Sequence, residues 1–473
     1  RPSNALPILL VVLLLGMSAS ATLYHDDRAE LADDRPALET HPGLYSPGSQ
    51  AGSVYSASTI QAGWLMTCAV LDNNEMRCWG SGTFGKLGTG DNIRAHHPRE
   101  VLLGYQSGTP SLATEVGQGS GSSGHHTCAL MIDSTLQCWG EDFLGQIGHG
   151  GSSGWHTTPY PVQMPLYKSA VQISNGGHHT CAIMEDDNTA EHSLYCWGSN
   201  NHGQVGIMLA SGEQPPELTI PTHVELPAGR SPIAISLGWD TSCAILDDGS
   251  GMCWGINDEG QLGVGTAGGN RTLPTPISIL PQNRTLAAIA IGTMHTCALL
   301  DDGSVGCWGK NDVGQFGDGT TASSTSFRYV SLPSGRTAIS IDVGKEHSCS
   351  ILDDSSSVCW GNNTDGQIGD GYAITRLTPT YVISPGGQTF STISTGMTHT
   401  CGIVSNGSLH CWGNHEYGQL GLGWDNLTAE PRDSDIPAWV NFSIQNNTFG
   451  GHVSLGERDA DHDGILSIFD STP

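Results

Sequence analysis

The sequence predicts an all-β protein, a seven-bladed β-propeller of four-stranded antiparallel blades, and three observations carry that prediction. At seven places a cysteine is followed ten to fifteen residues later by Cys-Trp-Gly, as in Cys243 and Cys253-Trp254-Gly255. Each Cys-Trp-Gly precedes a tetrapeptide like Gly-Gln-Leu-Gly, from Gly85-Lys86-Leu87-Gly88 to Gly418-Gln419-Leu420-Gly421. The unit recurs at a period of roughly fifty to sixty residues, the signature of a stacked repeat rather than one continuous core.

Each unit divides into four short strands. In the fourth, the apolar run from Ile233 reads as one strand and Thr241 to Leu246 as the next. Asp247-Asp248-Gly249-Ser250 is a hairpin turn, and Gly251-Met252-Cys253-Trp254-Gly255 is the returning strand. The turn recurs as Asp301-Asp302-Gly303-Ser304 and as Ser405-Asn406-Gly407-Ser408. A further strand is expected around a proline after each Gly-Gln-Leu-Gly, at 98–101, 161–162, 221–224, 276–277, 379–382 and 437–440. Four antiparallel strands per unit, repeated radially, leave only short protected edges. With Gly 64, aromatics at 7% and hydrophobic residues at 37%, the core is expected to be divided among small sheets.

The cysteines pair within units: Cys68 with Cys78, Cys128 with Cys138, Cys181 with Cys196, Cys243 with Cys253, Cys297 with Cys307, Cys349 with Cys359 and Cys401 with Cys411. This uses all 14 cysteines. If the hairpin turn places Gly in the left-handed position, Cys243 stands directly opposite Cys253. Opposed Cβ atoms lie about 4.5–5.5 Å apart, and closer at non-hydrogen-bonded pairs, near the distance a disulfide needs. Zinc and thiol–redox sites want Cys-x-x-Cys spacing, which never occurs.

Disulfides persist in oxidising compartments, and the N-terminus agrees. Arg1 precedes an apolar stretch at residues 5–17, followed by Ala19-Ser20-Ala21, a small-x-small cleavage pattern. The alternative is an uncleaved membrane anchor, and either places the propeller outside the cytoplasm. Without an initial Met, the sequence reads as clipped at its start. The expected organisation is a signal peptide at 1–21, an acidic linker at 22–50, the propeller at 51–450 and an Asp-rich tail at 451–473. The net charge of −28, with only 18 scattered basic residues, excludes a nucleic-acid partner.

The recurring Gly-x-x-His-Thr-Cys-Ala, Asp-Gly-Ser, Cys-Trp-Gly and Gly-Gln-Leu-Gly segments resemble the repeats of the regulator of chromosome condensation family. That family shares a superfamily with the β-lactamase-inhibitor protein II propeller. The resemblance implies the propeller fold and action by binding: nucleotide exchange on a small GTPase, enzyme inhibition, or light sensing through a tryptophan cluster. The Cys-Trp-Gly tryptophans of this chain read as blade packing, so light sensing is not carried over.

Candidate sites are weighed on their chemistry. His126, His179, His295, His347 and His399 precede Thr/Ser-Cys in five units, while Met66 and Thr241 take that place in the other two. A broken ring of this kind suits a structural bond to a backbone carbonyl better than a metal site. The Asp pairs at hairpin tips suit turns. No nucleophile elbow, zinc-protease motif or phosphate loop is present, so no catalytic residue is assigned.

The sharpest chemical motif is Asp459, Asp461, Asp463, the carbonyl of Ile465, and Asp470. It fits an Asp-x-Asp-x-Asp-Gly calcium loop of the thrombospondin type 3 or dockerin-like kind. Calcium there is the sole cofactor expected. Asn-x-Ser/Thr sequons stand at Asn270, Asn283, Asn362, Asn406, Asn426, Asn441 and Asn446.

The expected function is that of a secreted or cell-surface scaffold that binds an extracellular macromolecule, a protein, without catalysis. Long loops at 104–124, 149–160 and 207–220 nominate one contact face. The alternative is an extracellular lyase or hydrolase acting on polysaccharide or peptide at the channel mouth. Nucleotide exchange is the third reading, set aside because a signal peptide removes the chain from the cytosol.

Overall fold

The computed structural model describes residues 56–442 apart from 107–108, 119–123, 153 and 424–432. The expected signal segment, the expected acidic linker and the residues of the expected calcium loop, Asp459, Asp461, Asp463, Ile465 and Asp470, lie outside the described residues. Seven four-stranded antiparallel sheets form the blades. Blade one consists of Ala57–Ala62, Met66–Leu71, Met76–Gly80 and Ala95–Glu100; blade seven consists of Phe390–Thr395, His399–Val404, Leu409–Gly413 and Ser434–Trp439. The first strand of each unit is innermost, and it touches the innermost strands of both neighbouring blades around the axis. The seven-bladed, all-β expectation is borne out. Among the described residues no helix is long and apolar enough to cross a membrane.

Every blade uses four strands consecutive in sequence. The seam between blades seven and one therefore shares no strand and closes as the other interfaces do, with side-chain clasps and backbone bonds such as Ala57 N–H to the Gly407 carbonyl at 3.1 Å. The Trp of each Cys-Trp-Gly is fully buried and donates its indole N–H to a carbonyl of the preceding blade. Trp79 reaches the Gln419 carbonyl at 2.9 Å, Trp254 that of Gln204 at 2.8 Å and Trp360 that of Gln315 at 2.8 Å. The outer strand shifts register opposite this Trp in every blade, as between Cys78 and Gly80.

The closing glycine of each Gly-Gln-Leu-Gly admits the indole. A Cβ on Gly369, at φ +75°, would lie 2.6 Å from the Trp412 ring nitrogen. Burying seven tryptophans at seven interfaces concentrates the apolar contribution between blades, because each large ring removes much surface from water.

A second clasp completes each interface. The Thr or Ser before the first cysteine donates to the same carbonyl, as Thr400 does to Gln367 at 2.8 Å and Thr67 to Gln419 at 2.8 Å. In five blades the histidine Nε2 of the preceding blade meets that hydroxyl: His126 meets Thr180, His179 Ser242, His295 Ser348, His347 Thr400 and His399 Thr67. This corrects the expected carbonyl partner. The nearby carbonyl is already taken by the indole and the hydroxyl, so the imidazole turns to the hydroxyl of the next blade. A carbonyl can only accept, so the hydroxyl gives its proton there and Nε2 must be the N–H donor. Burial holds these five imidazoles neutral, lowered to about 3.

Disulfides join Cys68–Cys78, Cys128–Cys138, Cys181–Cys196, Cys243–Cys253, Cys297–Cys307, Cys349–Cys359 and Cys401–Cys411. Each links directly opposed residues of the second and third strands, as Cys243 and Cys253.

Two sequence expectations need correction. The outer strands begin well before the proline, at Ala95, Trp155, Glu217, Arg271, Arg376 and Ser434, and Ser324–Tyr329 supplies one without any proline. Proline is tolerated there because an edge strand has N–H groups facing solvent. The three long segments also do not form one face. Residues 113–118 of the first are the inner strand of blade two, and 155–160 lie in its outer strand. In an antiparallel blade, inner-to-second and third-to-outer connections share one face, while hairpin tips and blade-to-blade connections share the other. Residues 104–106 and 109–112 therefore lie on the hairpin face, and 149–152, 154 and 207–216 lie on the opposite loop face.

Candidate functional site

Within each blade the Cys-Trp-Gly strand leads into the Gly-Gln-Leu-Gly turn on the loop face, and the repeat defines what each position does there. Two residues after Cys-Trp-Gly stands Asn200, Asn257, Asn311 or Asn363 in blades three to six. Its Oδ1 accepts from the backbone of the turn, as from Leu262 at 3.2 Å, and its Nδ2 donates to loop carbonyls, as Asn257 does to Thr266 at 2.9 Å. Blades one, two and seven depart from this pattern, with Gly82, Asp142 and His415.

The departures of blades one and two gather where those blades meet. Phe84 occupies the blade-one turn at φ +58°, a left-handed backbone that bulky residues rarely adopt. Its ring lies 6.2 Å from Phe143 and 5.9 Å from Trp155, which are themselves 6.3 Å apart, and 5.0 Å from His125. Phe143 and Trp155 are each 47% exposed. Three mutually edge-on aromatic rings with two open to solvent form an apolar anchor site of the kind that concentrates binding energy at protein interfaces.

Beneath the patch lies a buried charged cluster. Lys86 replaces the Gln of Gly-Gln-Leu-Gly and is 0% exposed. Its Nζ donates to the Trp64 carbonyl at 2.9 Å and meets His125 Nδ1 at 3.4 Å. Burial lowers it to about 7, partly offset by the Glu141 carboxylate. Glu141 is raised by burial to about 7, against the pull of Lys86, and its Oε2 lies 3.8 Å from His178 Nδ1. His178 is lowered by burial to about 4, and His125 falls further because Lys86 adds to its burial. A fully buried lysine beside an imidazole and a carboxylate distinguishes this cluster from a solvated face.

The sequence motifs fall elsewhere. The five repeated histidines hold blades together, and the Asp pairs cap turns: Asp248 accepts from the Ser250 N–H at 3.0 Å. A hairpin-face cavity of about 320 Å³ between blades four and five is lined by Arg230, Asp248 and Arg284. Its charges are already paired, Arg230 with Asp248 at 3.0 Å and Arg284 with Asp302 at 2.7 Å.

Among the described residues one group has metal-ligating spacing: Asp142, His149 and His156, whose ligand atoms lie within 4.8 Å of one another. Sequence reasoning missed it, along with Lys86 and the aromatic patch. The available signal was the departure of single units from the repeat's own pattern.

Comparison with known proteins agrees with this architecture. The family model described as the RCC1-like domain matches residues 189–459, and models of the regulator of chromosome condensation (RCC1) repeat match 57–86, 170–204 and 135–183. The chain is 25% identical over 400 residues to the ultraviolet-B receptor UVR8 of Arabidopsis thaliana, covering 85% of each. It is 29% identical over 392 residues to the E3 ubiquitin-protein ligase HERC2 of Mus musculus, using 82% of this chain but 8% of that protein. Among solved structures, human WBSCR16 matches with TM-score 0.66 at 19% identity, over 78% of this chain and 95% of that one. Prp20p of Saccharomyces cerevisiae, studied for its binding to Gsp1p and histones, matches with TM-score 0.63 at 21% identity over 82% and 88%. At these identities the solved structures share the fold.

Proposed function

We propose that this chain, which belongs to the RCC1-like domain family, works as a secreted or cell-surface binding protein whose loop face, over blades one and two, docks another protein. One observation carries the reading: Phe84, Phe143 and Trp155 form an exposed aromatic anchor directly above a buried lysine that stands where the other six blades carry Gln. The Prp20p relative binds proteins, which supports a binding role for the fold. Seven disulfides and the apolar N-terminal segment support an oxidising, extracellular setting. The Asp-rich loop from Asp459 to Asp470 is proposed as a calcium site.

Cross-linking in the native extracellular setting tests the reading. Wild-type protein and a Tyr381→Ala control on the outer strand of blade six should capture the same partner. Phe143→Ala and Trp155→Ala should lose it. Equal capture by all four proteins would remove the loop face from the function.

A further inference from the structure

We propose that Asp142, His149 and His156 form a binding site for a divalent first-row transition ion of the zinc class, built into the third-to-outer loop of blade two. The argument comes from comparing the same three positions in blade six, where they are Asn363, Asp370 and Arg376. There the group is self-sufficient. The Asn363 Nδ2 donates to Asp370 Oδ1 at 3.2 Å, and the Arg376 guanidinium donates to Asp370 Oδ2, its Nε at 2.6 Å. A tethered cation sits at the centre of that loop.

Blade two keeps the loop and changes its chemistry. The carboxylate has moved to the Asn position, and two imidazoles take the places of the Asp and the Arg. Asp142 Oδ1 still accepts from the Ile147 N–H at 3.0 Å, so the turn is formed in the usual way. Its other oxygen, on a fully buried side chain, faces His149 Nδ1 at 3.3 Å. No lysine or arginine belongs to the trio. One carboxylate and two imidazoles are a donor set that a zinc-class ion accepts, and three protein ligands leave one position open for water.

The geometry and the surroundings suit that ion. Three ligands held about 2.0–2.1 Å from a tetrahedral centre stand about 3.4 Å apart. The Asp142–His149 pair is already at 3.3 Å, and the trio as a whole lies within 4.8 Å. The Tyr160 ring packs against both imidazoles, at 5.0 Å from His149 and 4.7 Å from His156, and fixes their planes. His156 directly follows Trp155, so an ion here would brace the strand that carries one ring of the aromatic patch.

Full-length oxidised protein, stripped with a chelator, provides the test. Native mass spectrometry with Zn²⁺ should show one equivalent taken up at low micromolar concentration, and Co²⁺ should give the visible absorption of a tetrahedral nitrogen–oxygen site. Asp142→Asn and His156→Arg install residues that other blades already carry, so both variants should fold with unchanged circular dichroism. Each should bind Zn²⁺ more weakly by at least the roughly 10–100-fold that outer-shell changes cost. The proposal is overturned if wild-type protein takes up no stoichiometric ion, leaving a simple Asp142–His149 pair, or if either folded variant binds as tightly as wild type.

Discussion

Blades four to six and blades one and two are made from one repeating unit, but they spend their polar residues differently. In blades four, five and six an arginine from the blade-to-blade connection bridges the hairpin-tip aspartates: Arg230 to Asp248 at 3.0 Å, Arg284 to Asp302 at 2.7 Å and Arg336 to Asp354 at 2.9 Å. Their loop-face asparagines and glutamines satisfy nearby backbone groups. Blade one instead buries Lys86 where the other six blades carry Gln, and blade two buries Asp142 where blades three to six carry Asn. A buried ionisable group is costlier to accommodate than an amide that finishes its own hydrogen bonds. Where a repeat accepts such a group, stability does not explain its choice, and the departure points to a task beyond folding.

The largest expected effect breaks the regular side of this comparison. Trp360→Ala removes a fully buried indole from the interface between blades five and six and should cost about 3–5 kcal/mol in denaturant unfolding. Trp155→Ala, on the irregular side, should cost less than about 1 kcal/mol while abolishing partner capture. Equal losses would mean that the aromatic patch is scaffold.

Next is the staple itself. Replacing Cys349 and Cys359 together by Ala should lower stability by about 2–3 kcal/mol. Peptide mapping without reductant should recover the seven within-blade pairs, and a free thiol in the folded protein would contradict them.

Lys86→Gln restores the residue of the repeat and should stabilise by roughly 1 kcal/mol near neutral pH. Its sharper signature is pH dependence. The folded value of Lys86 lies near 7 and the unfolded one at 10.5, so between them the unfolded chain binds the extra proton. Wild-type stability therefore gains a rising contribution from Lys86 across that window, and the variant should lack it in pH-dependent unfolding.

His347→Gln is the smallest change, costing about 1 kcal/mol through the Thr400 clasp. The folded imidazole value near 3 lies below the ordinary 6.5, so acid destabilises through this group within that window. The variant should show unfolding with one fewer proton taken up, measured as a shallower pH slope.

The scaffold was legible in the sequence because it is repeated. Cys-Trp-Gly and Gly-Gln-Leu-Gly fix a hairpin, an indole pocket and a glycine at positive φ in each unit, and seven copies make the pattern unmistakable. The partner of His347 was less legible, because the hydroxyl it meets comes from the next blade, some fifty residues away at Thr400. The outer strands were placed late because proline drew attention away from residues such as Ala95 and Arg271 that begin them. Lys86, Phe84, Asp142 and Trp155 escaped notice for the opposite reason. Each is a single exception, and only the folded ring brings exceptions from two blades onto one patch.

The closure of the ring carries one more consequence. Since every blade owns its four strands, and Trp79 meets Gln419 as Trp360 meets Gln315, the circle has no preferred beginning. A chain opened at another blade-to-blade connection, with its present ends joined, would re-form the same seven contacts. By the same token, copying or deleting one unit changes the circumference without forcing any strand to find a new sheet. The architecture is thus a necklace of whole beads, in which one bead can be altered for a task while the thread stays as it was.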